Sequence, residues 1–265
     1  AHVASLPLVE AEVAEMSSVL RLLLRSQALW TSPQCRAVQT AMIALQPLAC
    51  GRALPVELKA FAREQRELTN PASAGNCVGG ALRTRCLDRL HELKEAEDDA
   101  GMRALSQMQL GLDEVERTWW EALPETDKEH QARVQELLAQ VQYSPHDAIV
   151  LVAHTGLFAE LASRHAAPHV REQQPGVLRA LAAGQVAPCA VAWFALDFEQ
   201  SAAQPVTDVA LLNDDLNAYA RGGERERRRS RERLERRASS PPPPPSPPVL
   251  ADEASPRDAS PSTTP

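Results

Sequence analysis

The chain has 265 residues, 44% of them hydrophobic, and a formal net charge of −7 at pH 7. That length allows one domain of ordinary size plus an appendage. Charge is unevenly spread: residues 221–237 hold nine arginines and four glutamates, so the remainder sums to −12, which excludes a body that attracts nucleic acid by bulk electrostatics. The five cysteines, at 35, 50, 77, 86 and 189, are odd in number and form no Cys-x-x-Cys. They are read as reduced thiols in a reducing compartment, not as a disulfide framework. No run approaches the length of a membrane span, and no charged-then-apolar leader opens the chain. A cytoplasmic protein without a membrane partner is the expectation.

In chain order, residues 8–25 carry apolar side chains at helical spacing, with Leu8, Val9, Val13, Met16, Leu20, Leu23 and Leu24 on one broad face. A short strand is expected over 28–31. Ser32-Pro33 then reads as a helix start, serine as N-cap and proline at the first helical position, with the helix running to about residue 45. Arg36 falls in its first turn, where the helix dipole disfavours a cation, so an anionic partner is expected. On spacing alone, an exposed surface arginine is the alternative. Residues 55–58 make a short strand candidate, and 67–80, rich in Gly, Asn, Ser and Pro, a long loop of the kind that often carries function.

Helical periodicity returns over 81–97, through Leu82, Leu87, Leu90 and Leu93. Trp119-Trp120 is read as core rather than as a binding box. Residues 126–142 form a second amphipathic helix ahead of Pro145. The apolar run 148–153 reads as a buried strand, ending at His154 and followed by a helix over 156–165. Two further strands, 187–196 and 206–212, form an edge hairpin or pair beside the main sheet. Arg36 and His154 would then lie at or just beyond the carboxyl ends of parallel strands. Open α/β sheets bind ligands there, and helix N-termini hold anions there. Taken alone, His154 would default to a structural histidine satisfied by a backbone carbonyl. His165 and His169 do not read as zinc ligands, with Pro168 between them and no further ligand nearby. No GxSxG, P-loop or GxGxxG sequence occurs.

After Tyr219 the composition changes. Residues 220–265 are expected to be a disordered tail, Arg/Glu-rich and then Pro/Ser-rich. Its first part is a solvated helix with i,i+4 pairs or no structure at all, and PPPPPSPP at 241–248 is polyproline II. That run could dock on an SH3 or WW groove, and the RGG at 221–223 could touch RNA. The plainer reading is a solubilising tail, with nucleic acid not expected as a partner.

Three separated segments carry a family resemblance. SPQCRAVQTA, residues 32–41, matches every specified position of Ser-Pro-x-x-Arg-Ala-x-Gln-Thr-Ala. That signature resembles the histidine phosphatase superfamily, the phosphoglycerate mutase-like proteins. Ala62-Arg63-Glu64 stands where the family has Leu-Arg-Glu, and VLVAHTG at 150–156 is similar to its strand-histidine-glycine segment. LPLVEAEV at 6–13 resembles the opening of the family's first long helix.

The resemblance implies a three-layer αβα sandwich of phosphoglycerate mutase type over residues 1–219, with a mostly parallel central sheet. It also implies phosphomonoester hydrolysis through a phosphohistidine, without metal or cofactor. The substrate would be a phosphorylated small molecule or phosphoprotein, chosen by 67–80 and 98–120. By position, Arg36 would be a phosphate clamp, gripping two oxygens with its planar guanidinium. His154 would be a pocket histidine that binds phosphate and stabilises developing charge. Glu64 would be the general acid, with Glu67 as the fallback. The family's nucleophile sits in an Arg-His-Gly at the end of its first strand, and no Arg-His-Gly occurs in these 265 residues. His2 has neither flank. The first strand is therefore expected to be missing and the chain as given to be inactive, either as an N-terminally truncated form or as a non-catalytic phosphate-binding scaffold acting through its tail.

Overall fold

A computed structural model describes residues 18–93 and 98–211. The apolar stretch 6–13, the end of the helix expected over 81–97, and the tail lie outside the described residues.

Four strands, β1 (Ala28–Thr31), β2 (Val56–Leu58), β3 (Leu110–Gly111) and β4 (Ile149–Val152), form one sheet in the order β3-β2-β1-β4, every pairing parallel. Parallel strands need crossovers, and helices supply them. These are α2 (Cys35–Arg52) between β1 and β2, α3 (Gly79–Leu93) and α4 (Asp99–Gln107) before β3, and α5 (Asp127–Gln142) before β4. A short α1 (Ser18–Arg25) leads into β1, and α6 (Thr155–Arg164), α7 (Pro168–Gln173) and α8 (Pro175–Ala182) follow β4.

Strand alternation sorts the core onto two faces. Leu29 of β1 packs with Val38, Met42 and Leu45 of α2 and Leu82, Cys86 and Leu90 of α3. Its neighbours Ala28 and Trp30 point the other way, onto Val134, Leu137 and Leu138 of α5 and Leu157 and Leu161 of α6. Helices thus cover both faces of a parallel sheet, an α/β arrangement compatible with three layers. Lys59 sits 4.6 Å above the Trp30 ring, its charge against the π face.

The expected 187–196 and 206–212 strands are β5 (Ala192–Leu196) and β6 (Val206–Leu211), which pair antiparallel as a sheet of their own. The first starts late because Pro188 and a left-handed Cys189 (φ 61°) turn the chain there. Among the described residues β4 pairs only with β1. All its residues are half-buried where those of β1 are buried.

Two helix boundaries differ from expectation. Helix α2 begins at Cys35, after Gln34 as N-cap, and not at Ser32-Pro33. The Ser32 hydroxyl is instead occupied with the Gln34 amide at 3.3 Å and with His154. The helix also continues past residue 45 through Pro47 to Arg52. Pro47 cannot donate the N–H that a helix directs at the Ile43 carbonyl, and Ile43 is 60% exposed, so the break falls on the solvent side of the helix. Trp119 is core, with its Nε1 donating to the Cys77 carbonyl at 2.9 Å and its ring meeting Trp120 edge-on at 5.2 Å. The same pair pins the 67–80 loop, because the Trp120 ring lies where any side chain at Gly75 would go.

At its far end α2 closes on Ala53 in the left-handed region (φ 52°), where the Leu54 amide turns back to the Ala49 carbonyl at 3.0 Å. Glycine is the usual residue there because a Cβ is strained. Ala53→Gly is expected to raise stability by about 0.5–1 kcal/mol, read as a higher urea midpoint at unchanged slope.

Candidate functional site

The pairing register makes the ends of three strands level. Thr31 stands opposite Leu58 of β2 on one side and Val152 of β4 on the other. The chain builds from β1 through β2 to β3 in one direction and then returns to place β4 on the other side of β1. The crevice beyond β1 and β4 is therefore a topological switch point. Ser32 follows β1 directly and His154 lies two residues past β4, while the segment after β2 runs through a 3-10 turn, Ala60–Ala62, to Glu64.

The three nominated residues meet there. The Arg36 guanidinium Nη2 forms an ion pair with Glu64 Oε2 and lies 3.3 Å from His154 Nδ1. Gln34, buried, ties the strands' ends together. Its Oε1 accepts from Arg36 Nη2 at 3.3 Å and from the Glu64 amide at 3.1 Å, and its Nε2 donates to the Ser73 carbonyl at 3.0 Å. Asn70 Nδ2 reaches Glu64 Oε2 at 3.4 Å. The side chains of Arg36 and Glu64 are 43% and 27% exposed and form the mouth, while His154 is buried beneath them. Glu67, the fallback acid, is exposed, with its backbone bonded to the Ser73 hydroxyl.

His154 has a defined tautomer. Arginine only donates, so Nδ1 facing Arg36 accepts and the ring proton lies on Nε2, which donates to Ser32 Oγ at 2.7 Å. Burial, reinforced by the charges of Arg36 and Arg133, pulls its pKa down to about 3. The ring is a neutral wall of the site at ordinary pH, and its one N–H is directed at Ser32. In the pocket role that the resemblance implies, binding phosphate and stabilising developing charge, this N–H would have to turn to the ligand, which requires Ser32 to be released. Helices α2 and α6 both start at this crevice, and their first-turn amides and dipoles favour an anion.

Beneath the site lies an ionic cluster that the sequence reading did not single out. Arg133 of α5 grips Glu125 with two bonds of 2.7 Å, from Nε and Nη2. Its Nη1 donates to the carbonyls of Phe61 and Arg63 at 2.7 and 2.8 Å. Arg63 Nη2 adds a bond to Glu125 at 3.2 Å. The cluster so fixes the backbone on both sides of Ala62 and delivers Glu64 to Arg36. Arg133 and Arg63 hold the Glu125 carboxyl down at about 2 against the opposing effect of burial. The available signal was periodicity: His130 and Arg133 fall on the same buried stripe as Val134, Leu137 and Leu138.

The other histidines considered are structural. His165 Nδ1 and His169 Nε2 each lie 3.0 Å from a backbone carbonyl, of Ala203 and Thr207. Among the described residues no group of three or more His, Cys, Asp or Glu is placed to hold a metal ion, and no helix is long and apolar enough to cross a membrane. Compared with models of known protein families, with curated proteins and with solved structures, the chain finds no match.

Acid should weaken the fold in two stages. Unfolded, residue 154 binds a proton below pH about 6.5, which the folded state refuses until about 3; for Glu125 the corresponding values are 4.5 and about 2. The unfolded chain therefore holds more protons across both windows, and stability falls as pH drops from 6.5 and more steeply below 4.5. Urea midpoints against pH should show both stages, with His154→Asn removing the upper one. Arg133→Ala, which leaves Glu125 buried without its bidentate partner, should cost about 3–5 kcal/mol at pH 7.

Proposed function

We propose that this chain is part of a histidine phosphatase of phosphoglycerate mutase type, whose longer form uses an αβα sandwich and its phosphate pocket for metal-free hydrolysis of a phosphomonoester, the chain as given being inactive without the nucleophile. One observation carries the reading: Arg36, Glu64 and His154, with Glu64 and His154 lying 28 and 118 residues along the chain from Arg36, converge beyond level strand ends. Arg36 supplies a permanent cation whose fork matches two phosphoryl oxygens. Two helix N-termini add dipoles of the same sign. Glu64, at the mouth, is placed to serve as the acid for a leaving oxygen once a phosphoryl group takes its place on Arg36. The substrate class is a phosphorylated small molecule or a phosphoprotein.

Hydrolysis by this route needs a histidine nucleophile, and the sequence holds no Arg-His-Gly. The reading places that histidine on a further strand. Phe194 and Leu196 of β5 pack onto the same cluster as Ile149 and Leu151 of β4, yet the two strands do not pair. A strand between them would be paired on both sides, with its carboxyl end beside His154. The lack of Arg-His-Gly also favours a second reading, in which the chain binds phosphate without cleaving it and acts through partners of its proline-rich tail.

Inorganic phosphate titrated into the full chain, with the imidazole signals followed by NMR, tests the shared premise. Arg36→Ala should weaken binding at least tenfold, the worth of one charge-assisted contact. Glu64→Gln should tighten it by about tenfold, because the competing carboxylate is gone. Equal phosphate affinity in wild type and Arg36→Ala would refute the site. Turnover of p-nitrophenyl phosphate by a form that carries an upstream strand ending in Arg-His-Gly would separate the enzyme from the scaffold.

A further inference from the structure

The thiols of Cys35 and Cys86 lie 3.3 Å apart, sulfur to sulfur, bridging the first turn of α2 and the middle of α3. They sit differently toward solvent: Cys35 is half-buried and Cys86 fully buried. All five cysteines are free. We propose that Cys35 and Cys86 form a redox modification site for low-molecular-weight disulfides such as glutathione disulfide, with Cys35 as the attacking thiol and Cys86 as the resolving one. The proposal is independent of the phosphate reading.

Geometry assigns the roles. Cys35 is the one an outside reagent reaches, and it stands at a helix N-terminus, where a thiolate is stabilised. Cys86 donates its S–H to Cys35, and Arg89 and Arg85 add positive charge, so the Cys35 pKa falls to about 7. The hydrogen bond to Cys35, and then burial, push the Cys86 thiol up, so it keeps its proton. The sulfurs must close from contact to a bond of about 2.0 Å.

The chemistry balances. The Cys35 thiolate attacks one sulfur of the disulfide, forming a mixed disulfide and expelling one thiolate. That thiolate takes the Cys86 proton. The Cys86 sulfur then attacks the Cys35 sulfur and expels the second thiolate, which is protonated by water. Two protein thiols are oxidised and one small disulfide is reduced to two thiols.

The test treats the full reduced chain with glutathione disulfide and maps its peptides without reduction. A Cys35–Cys86 linkage is expected in wild type, reversed by excess reduced glutathione. In Cys86→Ser the reaction should stop with one glutathione on Cys35. At pH 7, Cys35 should also alkylate with iodoacetamide roughly fourfold faster than an unperturbed cysteine, after allowing for the lower nucleophilicity of a less basic thiolate. Linkage of Cys86 to Cys77 instead, or Cys35 alkylating more slowly than the exposed Cys50 and Cys189, would overturn the proposal. So would a Cys86→Ser chain whose Cys35 takes up no glutathione. The alkylation rate is read on the wild-type fold, so a poorly folding variant does not spare the proposal.

Discussion

The register of β1 against its two neighbours is the constraint on which the site depends. Thr31 is paired across to both Leu58 and Val152, so three segments leave the sheet at one height and at one end. A one-residue slip of β1 against both neighbours would turn Trp30 from the α5 face to the α2 face, and a slip in one pairing would reverse β2 or β4 instead, exchanges the two filled core clusters do not allow. Hydrophobic burial of alternate residues on the two faces therefore sets, at a distance, where Arg36, Glu64 and His154 can be. The site is polar, but what positions it is apolar.

Strand ends alone would leave Glu64 on an irregular segment. The second constraint is ionic and buried: Arg133 holds Glu125 with one side of its guanidinium and two backbone carbonyls with the other. Such a pair contributes little net stability once its desolvation is counted, yet it is costly to break. Its consequence here is geometric, since the carbonyls belong to the residues that flank Ala62 and precede Glu64. Gln34 performs the corresponding task from the other side, bonding the Arg36 guanidinium, the Glu64 amide and the Ser73 carbonyl in a single side chain.

What could be read from the sequence follows from which forces are local. The strands at 28–31 and 148–153 and the helix over 126–142 announce themselves by apolar period, and Thr126 with Glu129 closes a full capping box at the last of these. β3 gave no such signal: two residues carry no period, and Leu110–Gly111 is a strand only because β2 is beside it. Helices α7 and α8 are short enough that proline at their starts was the only cue. By local rules Ser32 reads as a cap, but its hydroxyl answers to a histidine more than a hundred residues away, a partner invisible to those rules. The same is true of Glu125 and Arg133, whose meaning lies in carbonyls of another segment. Arg36, Glu64 and His154 were nominated through their motifs, and their mutual contacts belong to the fold.

One electrostatic field links the features of the crevice. Arg36 sits where the dipole of its own helix opposes it, a second helix points its amino end at the same place, and Arg133 lies below. Burial first, and this positive potential after it, disfavour a proton on His154, and the ring is accordingly neutral, spending its one N–H on Ser32. It also favours a resident anion, and Glu64 occupies that position from the mouth. The excess of positive charge thus reinforces what burial does to the histidine and by itself accounts for the carboxylate on Arg36. A carboxylate is held there at a partly exposed position, by a cation that also faces solvent, so a better anion with more oxygens meets little resistance in replacing it. Under the phosphate reading, Glu64 is both placeholder and neighbour: it keeps Arg36 extended over the crevice, and when displaced it remains within reach of whatever displaced it.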